Sequence, residues 1–142
     1  MTETIPTKRE RMYSLWQQAL AELSAAQAPE KTLPRPLAQA ALFYCFQHAM
    51  FLAFKTLNTC LKEEGLSPLT PKQHLEMARQ AGWIEPEAED DWWVLLMSWL
   101  QLPEIYEPEQ AAEMEDGLRE TVRRLYELAD RLKPAAGNHG GV

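Results

Sequence analysis

The stretch from Leu37 to Glu64, LAQAALFYCFQHAMFLAFKTLNTCLKEE, holds no proline or glycine and is bracketed by Pro36 and Gly65. It reads as one helix. At about 1.5 Å per residue it makes a rod roughly 42 Å long, and between Arg35 and Lys55 there is no Arg, Lys, Asp or Glu. Phe43, Phe46, Met50, Phe54, Leu57 and Leu61 recur at helical spacing, and Leu42, Cys45, Ala49 and Leu52 form a second stripe beside them. A helix apolar on more than one side needs cover on more than one side. It is therefore expected to be the axis against which the other helices, and a second subunit, pack.

Residues 36 to 54 run nineteen positions without a full charge, close to the roughly 20 apolar residues a membrane span requires. Gln39, Gln47, His48 and several alanines make insertion unfavourable, so the expectation is a buried core helix and no membrane partner. A chain of 142 residues suits one domain, and a domain of this size buries roughly 70% of the surface its unfolded chain exposes. Fourteen Lys and Arg against 21 Asp and Glu give a net charge of −7, which excludes bulk attraction to nucleic acid or anionic lipid. Cys45 and Cys60 lie fifteen residues apart on one helix, about 22 Å along its axis, too far for an intramolecular disulfide. The N-terminus, MTETIPTKRERMYSLW, has no apolar signal region, so a reducing, cytoplasmic setting is expected.

Working outward, residues 1–7 read as a loose arm, 8–133 as a single helical domain and 134–142 as a disordered tail. Met12, Leu15, Trp16, Ala19, Leu20, Leu23 and Ala26 predict an amphipathic helix over about Lys8 to Ala28. Pro29, Pro34 and Pro36 mark an extended connector. After Gly65, Thr70 as N-cap, Pro71 at the first helical position and Gln73 at the capping-box position start a short helix that Gly82 closes. Glu85 and Pro86 open the next segment, in which an acidic first turn precedes WWVLLMSWLQL, apolar most of the way round and expected to be buried until Pro103 ends it. Glu107 and Pro108 begin a last helix, and Pro134 stops it. Its pairs Glu115 with Arg119, Glu120 with Arg124 and Glu127 with Arg131, acid before base four residues apart, predict a solvated outer face. No segment alternates with period two. The fold class is all-α: an up-and-down four-helix bundle with one additional short helix.

Chemical motifs are sparse. There is no Gly-rich phosphate loop, no Cys-x-x-Cys and no Glu-x-x-His. Cys45 and His48 share a helix face but no third ligand is evident, so no metal and no cofactor are expected. His48 in an apolar run reads as a hydrogen-bonded core or interface histidine. Trp92, Trp93 and Trp99 sit at helical spacing and read as core, although such rings could stack on a base.

FQHAMFLAFKTLNTCLKEEG, from Phe46 through Lys55, Thr56 and Leu57 to Lys62, Glu63, Glu64 and Gly65, resembles the signature helix of the nucleotidyltransferase substrate-binding-protein family of the HEPN superfamily. Ser67-Pro68 and Thr70-Pro71, the Ala81 to Ile84 turn, the acidic run, the aromatic-rich helix and Tyr106-Glu107 follow in the order seen in that family, over about residues 10 to 132. The resemblance implies a HEPN-like bundle that forms a homodimer and pairs with a minimal nucleotidyltransferase, many such pairs being toxin and antitoxin, with a nucleotide or RNA as possible ligand. HEPN ribonucleases use a metal-free Arg-x(4-6)-His motif near the end of the fourth helix. Here no arginine lies between Arg79 and Arg119 and no histidine between His74 and His139; the motif positions hold Trp99 and Glu104. A carboxylate there repels phosphate and an indole cannot neutralise it, so no catalytic residue is expected. His48, Lys55, Trp99, Glu104 and Tyr106 are the residues expected to face a ligand. Two alternatives remain open at this point. One is a degenerate HEPN ribonuclease using His48 or His74 with Lys55; the other is a bundle that lodges a nucleotide among Trp92, Trp93, Trp99 and Tyr106.

Overall fold

A computed structural model describes residues 5–28, 33–105 and 107–134. The expectations for most of the N-terminal arm, for the connector at Pro29, for Tyr106 and for the tail beyond Pro134 lie outside the described residues. The α-helices are α1 (Lys8–Gln27), α2 (Arg35–Glu63), α3 (Pro71–Gln80), α4 (Glu89–Gln101), α5 (Pro108–Thr121) and α6 (Arg123–Leu132), with single 3-10 turns at Pro86–Ala88 and Leu102–Glu104. No strand occurs among the described residues. The chain is an all-α helical bundle.

Helix ends follow local chemistry. The Thr7 hydroxyl accepts from the Glu10 amide at 3.0 Å while the Glu10 carboxylate accepts from the Thr7 amide at 2.8 Å, a reciprocal cap that fixes the start of α1. Thr70 caps α3 by accepting from the Gln73 amide at 3.1 Å, but the Gln73 side chain reaches back to the amide of Leu69, one residue beyond the expected partner. Gly65 (φ 83°) and Gly82 (φ 84°) end α2 and α3 in the left-handed conformation. There the amides of Leu66 and Trp83 close onto the carbonyls of Leu61 and Ala78 at 3.0 and 2.9 Å.

Contacts between elements fix an up-and-down course. At one end Arg9 of α1 pairs with Glu63 of α2, while at the other Arg119 of α5 donates to the carbonyl of Gln27 and to Glu115, which Gln39 of α2 also holds, so α2 runs back along α1. Tyr13 donates to the Ala129 carbonyl at 2.9 Å and Tyr126 donates to the Leu20 carbonyl at 3.0 Å, which sets α6 antiparallel to α1. Trp99 stacks on Phe54, and Ile105 shares a cleft with Phe43, so α4 descends α2. The core lies around α2, which contacts α1, α3, α4 and α6. Trp16, Phe46, Met50, Leu57, Leu95, Leu118 and Leu125 are fully buried in it.

Three expectations change. The last rod is bent: at Val122 (ψ −21°) the Leu125 amide bonds the Val122 carbonyl at 2.9 Å, one residue short of the helical register. Beside this bend the Thr121 hydroxyl bonds back to the Gly117 carbonyl at 2.8 Å, a contact that bends helices. The acid-base face of that rod is not a solvated row of local pairs, because long guanidinium arms reach carboxylates on other elements. Arg124 takes Asp91 of α4 at 2.8 Å as well as Glu127 of its own helix at 2.9 Å, Arg131 takes Glu85 and the Gly82 carbonyl, and of the three pairs expected four residues apart Glu115 with Arg119 alone forms. Finally, α4 buries Trp92, Leu95 and Leu96 but leaves Val94, Met97 and Leu100 exposed. Its neighbours cover one side of it, not the whole circumference.

Candidate functional site

The outer face of α2 carries large apolar side chains that none of the described residues covers. Leu37, Tyr44 and Phe51 are 57%, 65% and 50% exposed. They recur every seven residues, with Ala41, His48 and Lys55 each four positions on. This is a seam of period 3.5, the pattern by which one helix lies along another. His48 is exposed and stacks on Tyr44, ring centroids 6.2 Å apart and planes 4° from parallel. The Lys55 ammonium sits 5.3 Å from the Phe51 ring centroid. Exposed apolar groups gathered on one face mark protein contact surfaces more often than chance.

The remaining expected site residues do not join this row as a group. Trp99 is half-buried and lies 5.2 Å from Phe54 at an interplanar angle of 20°, so one of its faces is already occupied. His74 meets Phe54 in a T-shaped contact, ring centroids 5.6 Å apart and planes at 70°. Its Nδ1 is 2.7 Å from the Thr70 carbonyl oxygen and its Nε2 is 3.2 Å from Oδ1 of Asn58. That makes it a rivet between α3 and α2. Glu104 is exposed on the 3-10 turn after α4, and Tyr106 lies outside the described residues. Cys45 faces α1, where burial first and then the Glu22 charge push its thiol pKa up; Cys60 is buried and its thiol is likewise raised by burial. Neither is an activated nucleophile.

A second feature had no forecast in the sequence. Arg35, Gln39, Ala40 and Phe43 of α2 face Ile105, Pro108 and Ala111 across a cleft of about 510 Å³, within the size range of small-ligand pockets. Behind it Glu115 is only 4% exposed. The Gln39 amide donates to its Oε1 at 3.0 Å, the Arg119 guanidinium donates to its Oε2 at 3.0 Å, and Arg35 lies 3.4 Å away. Burial pushes this carboxyl upward, but those hydrogen bonds and the two guanidinium charges outweigh it and hold the pKa below the usual carboxylate range. The cluster ties together the end of α1, the first turns of α2 and the middle of α5. The sequence shows Glu115 and Arg119 four apart, but burial by α2 has no signal in that spacing.

Compared with family models, curated proteins and solved structures, the chain matches none of them.

Proposed function

We propose that this chain is a non-catalytic helical binding protein that lays α2 against a second copy of itself, the homodimer binding a minimal nucleotidyltransferase in a pair of the toxin and antitoxin kind. The observation that carries the reading is the exposed row Leu37, Tyr44 and Phe51, with His48 and Lys55 between them. A helix that buries its inner stripes inside its own bundle and still presents a heptad of large apolar side chains is built to be covered by another helix. The order of sequence segments, which resembles the nucleotidyltransferase substrate-binding proteins, supplies the class of partner. A nucleotide or RNA held by such a pair would belong to the assembly rather than to this chain alone.

Ribonuclease chemistry receives no support from this geometry. His48 and Lys55 are two turns apart, about 10 Å along the helix, and each lies against its own aromatic ring instead of converging on one point, while both ring nitrogens of His74 lie against the Thr70 carbonyl oxygen and Oδ1 of Asn58. Lodging a nucleotide among the tryptophans fares no better, because Trp92 is buried and Trp99 is stacked on Phe54. The test is light scattering of the purified chain, alone and mixed with a minimal nucleotidyltransferase encoded beside it. A dimer alone and a larger complex in the mixture are expected; a monomer that binds no such partner overturns the proposal.

A further inference from the structure

Resting on that reading, we infer that two copies associate through α2 itself. The two α2 helices run antiparallel about a two-fold axis beside His48, and Lys55 of each copy is received between Glu22 and Glu104 of the other. The spacing of the seam sets the register. An axis midway between Tyr44 and Phe51 brings Tyr44 of one copy against Phe51 of the second, and does so twice, while the two His48 rings meet near the axis. Such a contact uses one patch against itself, as closed dimers do, and the paired rings suit the offset stacking that aromatic side chains favour.

Charge sets the direction. The outer row of α2 has no acid between Arg35 and Lys62. Lys55 has no carboxylate within ion-pair distance among the described residues and folds its ammonium onto Phe51. The acids stand beside the other half of the row. Glu22 on α1 is close enough to Cys45 to raise its thiol pKa, and Glu104 adjoins Ile105, which faces Phe43 across the cleft. Both are exposed, and neither has an ion-pair partner among the described residues. Within one copy, Lys55 is ten residues from the level of Cys45, about 15 Å along the helix, beyond the reach of its side chain. Parallel packing would set Lys55 against Lys55 and leave the acids facing acids. Antiparallel packing crosses them, base over acid at both ends.

Light scattering of the full chain at micromolar concentration tests the arrangement. The wild type should be a dimer, and Lys55→Glu should weaken it by about tenfold or more. Adding Glu22→Lys and Glu104→Lys to Lys55→Glu should restore it, since the swapped charges again meet opposite signs; this rescue separates a lost contact from a lost fold. In a Cys45→Ser background, His48→Cys should cross-link to itself with a short bis-maleimide. In the same background Tyr44→Cys should cross-link with Phe51→Cys more readily than with another Tyr44→Cys. A monomeric wild type overturns the dimer reading as a whole. A wild-type dimer that tolerates Lys55→Glu and gives no cross-link at His48 overturns this arrangement alone.

Discussion

Replacing Glu115 by glutamine keeps the shape of a side chain that is 4% exposed and removes its charge. The carboxylate accepts from Gln39 and Arg119 at 3.0 Å each and lies 3.4 Å from Arg35. Hydrogen bonds to a charged group contribute about 1.5–3 kcal/mol each. Both guanidiniums are exposed enough to regain water, with side chains 73% and 42% accessible, and the glutamine carbonyl retains one acceptor. The net loss is therefore close to one charge-assisted bond, about 2 kcal/mol, or roughly 7 °C in Tm for a domain of this length. The sign with pH follows from the direction of the shift. The folded-state pKa of Glu115 is depressed, so its contribution is complete above the unfolded value of about 4.3 and is lost as pH falls through the folded value. Urea melts followed by far-UV circular dichroism should show wild type and Glu115→Gln separated by a constant amount from neutral pH down to about 5, then converging at lower pH. A difference below about 0.5 kcal/mol at neutral pH, or one that persists unchanged in acid, would refute the reasoning.

Thr56 is fully buried and its hydroxyl has no hydrogen-bond partner among the described residues; Thr56→Val should raise stability by about 1 kcal/mol in the same melts. Gly82 and Gly117 should respond with opposite signs. Gly82 has φ 84°, with nothing within 4 Å of the place a methyl group would take, so Gly82→Ala costs about 1–2 kcal/mol from backbone strain alone. Gly117 lies within α5, where an added Cβ would meet Val94 at an ordinary 3.9 Å, so Gly117→Ala should gain up to about 1 kcal/mol from helix propensity. Phe46→Ala, at the centre of the core, should cost about 3–5 kcal/mol and broaden the thermal transition seen by calorimetry.

The number of rods, most of their ends and the central place of α2 were already written along the chain. Those features depend on local chemistry: Thr70 as a cap, Pro71 and Pro108 at helix starts, Gly65 and Gly82 at ends, and apolar residues repeating every three or four positions. Each acts within a turn or two, so its place can be read from its neighbours. The two inner stripes of α2 were legible for the same reason. The third, Leu37, Tyr44 and Phe51, was present in the seven-residue spacing, but a helix apolar all round gives no sign of which face its neighbours will leave bare. Packing by α1, α3, α4 and α6 settled that. Folding likewise chose the carboxylate each arginine holds and buried Glu115 behind the cleft. A guanidinium on a long flexible arm meets whichever acid the fold brings within reach, and sequence spacing records only the acids on its own helix.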